Sequence, residues 1–282
     1  MTSNGERVAA LFIGGGATPI EKIAVQELKI LKENGVEAAS SADRLNTLWC
    51  GADVASIVTS AGWSVMTGGY YEGPLGIANK TASVISHKHN NIARPMGVIF
   101  PEKYPNDPLT IEGQLFRADD TADRLKIYND KSQAFFLMGG GGLGTGEEIF
   151  FTLKEVAGYD EVAVIKGSEW AKQLNLSPRP ILVVDPTEKV QELLKFYFIK
   201  SIDQARRQKD PVMRSLFKRV YIFGKSSFRK VNNDKYPGLL RLSESSKKEI
   251  IAILGRYSGE QVELPAVETF ADILLKHDQS IQ

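Results

Sequence analysis

The chain has 282 residues, of which 43% are hydrophobic and 24% charged, and its formal net charge is +1. This is the composition of a globular protein, and so small a net charge excludes a global field that recruits nucleic acid or acidic membranes. The single cysteine, Cys50, excludes an intramolecular disulfide and any CxxC metal or redox motif. No apolar run approaches the roughly 20 residues of a membrane span, and the start MTSNGER lacks the apolar core of a signal peptide. We therefore expect a soluble, cytoplasmic protein with no nucleic-acid or membrane partner.

Short apolar runs alternate with helical patterns along the chain. The predicted strands are 7–13, 63–67, 96–100, 114–117, 134–138, 180–184 and 219–223. The predicted helices are 19–35, 44–61 with an interruption near residues 50–51, 73–88, 119–131, one beginning after residue 146, 188–207 and 245–254. Residues 36–43 are predicted to be a connection, residues 161–165 a strand or a helix end, and residues 224–240 a loop. This order predicts an α/β fold, a Rossmann-like doubly wound, mostly parallel sheet with helices on both faces.

The stretch Ala134–Phe151, AFFLMGGGGLGTGEEIFF, reads as a buried strand, a glycine turn and the start of a helix. Such a turn exposes backbone N–H groups, and the helix dipole favours an anion beside them. Glycines also follow the predicted strands at 14–16 and 68–69, so three turns at one sheet edge would line a single crevice. The spacing fits neither a Walker A loop nor a dinucleotide fingerprint, and a monophosphate fits better than a pyrophosphate. The alternative is that the glycines only make tight turns.

Two charged residues are the candidates for chemistry in this crevice. Thr145 and Glu148 have the T-x-x-E spacing of a capping box, so Glu148 either caps the helix or faces the crevice. Arg124 lies on a predicted polar helix, where it either pairs with Asp120 or Asp123 at the surface or recognises an anion. None of these roles of Glu148 and Arg124 requires a metal.

These residues resemble those of the LOG family, the cytokinin riboside 5′-monophosphate phosphoribohydrolases often labelled "lysine decarboxylase". Arg124, fifteen residues before the glycine turn, and the run AFFLMGGGGLGTGEE are similar to the family's R-K…PGGxGTxxE signature. The segments MTGGYYEGPLGIANK, MGVIFPE and LFIGGG resemble three further family segments. The resemblance implies a homodimer or larger assembly that hydrolyses a nucleoside 5′-monophosphate to free base and ribose 5-phosphate without a cofactor.

Carried over by position, the resemblance gives the site residues. It implies Glu148 as the catalytic carboxylate and Arg124 as its basic partner, with Glu147 and Lys126 as secondary candidates. The phosphate and nucleotide would be bound by Gly14, Gly15, Gly68, Gly69, Gly141, Gly142, Gly144 and Thr145. Residues 1–200 would form the nucleotide-binding domain, and residues 201–282 a C-terminal extension packed on it.

The sequence also departs from the family pattern. Glycine replaces the family proline in the turn, one extra glycine is present, and the lysine next to the arginine is displaced to Lys126. The crossover at 17–62 is longer than the family's. The altered turn and long crossover favour an alternative, a non-catalytic nucleotide or phosphorylated-cofactor binding protein, such as a molybdenum cofactor carrier. The presence of both Arg124 and Glu148 favours the enzyme.

Overall fold

The structure is a computed structural model. It describes residues 6–13, 35–69, 73–88, 93–99, 113–139, 179–188, 190–191, 194, 218–231, 238–263, 266–269 and 272–273, with no side chains described for 35–42 and 44. The predicted helix at 19–35 up to residue 34, the helix after residue 146 and the segment 161–165 lie outside these residues. None of the described helices is long and apolar enough to cross a membrane.

Nine strands and four α-helices lie in the described part of the chain. The strands are β1 Val8–Ile13, β2 Ser64–Thr67, β3 Pro95–Ile99, β4 Gln114–Arg117, β5 Ala134–Met138, β6 Ile181–Val184, β7 Val220–Phe223, β8 Phe228–Lys230 and β9 Leu240–Leu242. The helices are α1 Gly35–Ser60, α2 Gly73–Lys88, α3 Thr121–Lys131 and α4 Glu244–Tyr257, and a short 3₁₀ turn spans Lys225–Ser227. Val190, Gln191 and Leu194 are also helical, within the predicted helix 188–207.

Seven of the strands form one parallel sheet in the order β4-β3-β2-β1-β5-β6-β7. The order runs outward in both directions from the neighbours β1 and β5, which is the topological switch point of a doubly wound sheet. β8 and β9 form a separate antiparallel pair. The predicted Rossmann-like α/β fold is confirmed.

Each face of the sheet has its own hydrophobic core, because successive side chains of a strand point to opposite faces. On one face, Ala9, Leu11 and Ile13 of β1 pack in a cluster with buried residues of α1, α2 and α4. On the other face, Val8, Ala10 and Phe12 pack with Tyr128 of α3 and with Val190 and Leu194. All six residues of β1 are buried, as expected for a central strand covered on both sides.

Two predictions about α1 are wrong. The helix includes residues 36–43, which were expected to form a connection, and it continues without a break through Gly51. Gly51 lies where α1 contacts the end of β1, and a Cβ there would lie 2.9 Å from Cδ1, the end of the flexible Ile13 side chain. Gly51 does not interrupt the helix.

The prediction of a loop at 224–240 is also wrong in part, since this segment contains the 3₁₀ turn, β8 and the first residue of β9. The β8–β9 hairpin is held against α1 by side chains. Asn46 Oδ1 accepts a hydrogen bond from the N–H of Leu240 at 2.8 Å. Asp53 accepts hydrogen bonds from Nε of Arg241 at 2.8 Å, from its Nη2, and from the N–H of Leu242 at 3.2 Å.

Candidate functional site

The candidate site lies at the carboxyl ends of β2, β1 and β5, which are adjacent and parallel. Ile13 pairs with Met138, so β1 and β5 end at the same level at the switch point. Open α/β sheets bind their ligands in this crevice. The three strands that are followed by glycines in the sequence are therefore neighbours in the sheet. Outside the described residues lie Gly14, Gly15, Gly141, Gly142, Gly144, Thr145, Glu147 and Glu148, whose roles stay predictions.

The turn after β2 needs glycine for a backbone reason. Gly69 has φ +78°, and a Cβ there would lie 2.7 Å from Cγ2 of Ile99 and 3.3 Å from Cα of Gly97. Both conditions exclude a larger residue. Its N–H donates to Oγ1 of Thr67 at 3.2 Å, and Gly68 and Gly69 are both buried. The turn is thus fixed tightly against the neighbouring strand β3.

Arg124 lies in the first turn of α3, which the chain enters from the carboxyl end of β4. Oδ1 of Asp120 caps this helix by accepting a hydrogen bond from the N–H of Asp123 at 2.7 Å. The guanidinium carbon of Arg124 is 5.8 Å from the ring centroid of Tyr128, and that ring is 4.8 Å from the ring of Phe12. Because Phe12 is the penultimate residue of β1, this stack places Arg124 at the crevice edge of the sheet.

Lys126 is placed differently from Arg124. Two positions along a helix put side chains on different faces. The side chain of Lys126 is 71% exposed, and its Nζ lies 3.2 Å from Oδ2 of Asp130. The structure therefore does not bring Lys126 together with Arg124.

A residue that the sequence analysis did not single out lies against the first glycine after β5. Asp185 follows β6, is fully buried, and accepts hydrogen bonds from N–H and Oγ1 of Thr187 and from the N–H of Val190, at 2.7 to 2.9 Å. Its carboxylate lies against Gly139, where a Cβ would overlap it. The signal in the sequence was an aspartate two residues before a threonine at a strand end, the pattern of an Asx turn.

Cys50 is a core residue. It is 1% exposed, and its Sγ donates to the carbonyl of Val184 at 3.3 Å. Burial, with smaller contributions from the charges of Asp185 and Asp53, raises the pKa of this thiol well above its ordinary value. A thiol held neutral in this way is unreactive. Within the described residues, no group of three or more His, Cys, Asp or Glu side chains could hold a metal ion.

The strand order and register define a Rossmann-like α/β fold whose topological switch point lies between β1 and β5. No family model matches the chain, and no curated protein matches it.

Solved structures resemble it at low identity. A molybdenum cofactor binding protein from the phototrophic bacterium Rippkaea orientalis is 16% identical, with 68% of this chain and 84% of that chain covered and a TM-score of 0.39. Two structures of the molybdenum cofactor carrier protein from Chlamydomonas reinhardtii are 14% and 16% identical. Each match covers 77% of this chain. The two matches cover 89% and 88% of the carrier chain, and their TM-scores are 0.39 and 0.36, respectively.

Proposed function

We propose that this protein binds a nucleotide or another phosphorylated small molecule, without cleaving it, in the crevice beyond β1 and β5. The strongest support is the arrangement of β2, β1 and β5, which are adjacent and parallel at the switch point. In the sequence, each of these strands is followed by glycines. Exposed amides in such turns bind phosphate oxygens. Arg124, at the same edge, adds a positive charge that pairs with a phosphate.

Binding without cleavage is favoured by the departures of the turn itself. In the turn, a glycine replaces the proline of the LOG family, and one extra glycine is present. Both differences would change the position of a bound phosphate relative to Glu148. Catalysis needs its groups placed to within a fraction of an ångström, whereas binding tolerates more variation. The molybdenum cofactor, a phosphorylated molecule bound by the structurally similar proteins, belongs among the ligands to test.

Hydrolysis of a nucleoside 5′-monophosphate is the second candidate, and the presence of both Arg124 and Glu148 in the sequence favours it. If Glu148 faces the same crevice, its carboxylate would stabilise the positive charge that develops on the ribose as the N-glycosidic bond breaks. The phosphate, bound at the turn, would anchor the ribose beside this acid. The products would be the free base and ribose 5-phosphate.

One experiment separates the two candidates. Binding of AMP, GMP, ribose 5-phosphate and the molybdenum cofactor is measured by calorimetry for the wild type, Arg124→Ala and the exposed control Lys126→Ala, and release of ribose 5-phosphate is assayed in parallel. We expect the wild type to bind without releasing ribose 5-phosphate, and Lys126→Ala to leave the dissociation constant unchanged. Arg124→Ala should raise the dissociation constant about tenfold or more, because it removes a hydrogen bond to a charged group.

Two results would contradict the proposal. Failure of the wild type to bind any ligand of the panel, the molybdenum cofactor included, would remove the phosphate site. Release of ribose 5-phosphate that is lost in Glu148→Gln would establish the hydrolase in its place.

A further inference from the structure

The side-chain amide of Asn79 has an unmatched hydrogen-bonding group beneath the turn after β2. Asn79 lies on α2 and is 3% exposed. Its Oδ1 accepts a hydrogen bond from Oγ1 of Thr67 at 2.9 Å. Among the described residues, its Nδ2 has no hydrogen-bond partner.

The orientation of this amide follows from its neighbours. The N–H of Gly69 donates to Oγ1 of Thr67, and the Thr67 hydroxyl gives its own proton to Asn79. This chain of two hydrogen bonds directs the oxygen of Asn79 to the end of β2 and leaves both protons of the NH₂ group without a described acceptor. The oxygen of the Asn79 amide therefore has a hydrogen-bond donor, but its NH₂ group has no described acceptor.

A buried donor without an acceptor is unfavourable, and buried polar groups in proteins almost always have a partner. An apolar residue of the same size would avoid this penalty. Asn79 lies at the level of Thr67, the last residue of β2, and β2 is the neighbour of β1 at the crevice. A ligand seated beyond these strands would bring acceptor oxygens to this edge.

We propose that Asn79 is a ligand-binding residue whose NH₂ group donates a hydrogen bond to an oxygen of the sugar phosphate bound in the crevice. This inference rests on the proposed function, since it needs a phosphorylated ligand at the carboxyl ends of β1 and β2. Thr67 then acts as a positioning residue, because its hydroxyl sets the amide and holds Gly69 at the same time.

The test uses Asn79→Asp, which keeps an acceptor for Thr67 but removes the donor, and Asn79→Leu as a second variant. The matched control is Asn46→Asp, because Asn46 is 5% exposed and its Oδ1 also accepts a hydrogen bond, but it serves the β8–β9 hairpin. Dissociation constants for AMP and ribose 5-phosphate are measured by calorimetry, and each variant's melting temperature is measured with and without ligand.

We expect both Asn79 variants to raise the dissociation constant about tenfold or more, and Asn46→Asp to leave it unchanged. A merely structural role would lower the melting temperature without ligand and leave the affinity of the folded fraction as in the wild type, which would overturn this inference. Wild-type binding that both Asn79 variants retain would overturn this inference alone, whereas failure of the wild type to bind AMP, ribose 5-phosphate and every other ligand of the panel would overturn the proposed function with it.

Discussion

Replacing Gly139 by alanine tests whether the first glycine of the turn after β5 is required by packing. The new Cβ would overlap Oδ1 of Asp185 and lie 2.6 Å from its Cγ and 2.8 Å from its Oδ2. The carboxylate cannot move away easily, because it is fully buried and accepts three hydrogen bonds from Thr187 and Val190. Either the strand end shifts or these hydrogen bonds break.

The size of the effect can be worked out from these contacts. Overpacking in a buried site lowers the free energy of unfolding by about 1–3 kcal/mol, and each hydrogen bond lost from a charged group contributes about 1.5–3 kcal/mol more. Relaxation of the strand end would reduce both the overpacking contribution and the hydrogen-bond contribution to the loss of stability. We therefore expect Gly139→Ala to destabilise the protein by roughly 3 kcal/mol, a decrease in melting temperature of about 6–12 °C.

The assay is urea unfolding of the wild type, Gly139→Ala, Asp185→Ala and the double variant. With the carboxylate removed, the three nearest contacts of the new Cβ are gone, and Gly139→Ala should change stability by no more than about 0.5 kcal/mol. Gly51→Ala is the control. Its nearest atom, 2.9 Å away, ends the flexible side chain of Ile13, and the gain of up to about 1 kcal/mol in helix propensity offsets that contact. Equal losses for Gly139→Ala with and without Asp185 would refute the packing explanation.

Two further predictions concern the C-terminal hairpin and the cysteine. Asp53→Ala should lower the free energy of unfolding by about 2–3 kcal/mol, because it leaves the N–H of Leu242 without its partner and ends the pairing with the partly exposed Arg241. In the same urea titration, the control Lys247→Ala, which breaks an exposed ion pair with Glu244, should cost less than about 1 kcal/mol, and similar losses in the two variants would contradict the role of Asp53. Because the pKa of Cys50 is raised by folding, its contribution to stability is complete below the unfolded pKa of about 8.5 and is lost as the pH rises toward the folded value. Unfolding titrations from pH 7.5 to 10 should show a steeper fall for the wild type than for Cys50→Ala, and parallel curves would contradict this.

The sheet and the place of the crevice were predictable from the sequence for a local reason. Strands buried on both faces are continuous apolar runs, and VAALFI and AFFLM need no distant information to be recognised. Glycines after the predicted strands predicted turns at one sheet edge, and the strand order makes β2, β1 and β5 neighbours. The individual glycines were harder to interpret, because Gly139 and Gly69 each have a packing or backbone reason that depends on residues far away in the sequence.

The C-terminal hairpin could not be predicted, since the groups that order it are distant in sequence. The hydrogen bond from Arg241 to Asp53 joins residues 188 positions apart, and that from Leu240 to Asn46 joins residues 194 positions apart. In isolation, the segment around β8 and β9 is polar and contains Asn, Asp, Pro and Gly, which favour turns. A two-stranded pair is marginal alone, so the hairpin depends on α1. The same helix carries Gly51 against Ile13 at the end of β1, which makes α1 a direct structural connection between the C-terminal hairpin and the strand that borders the crevice.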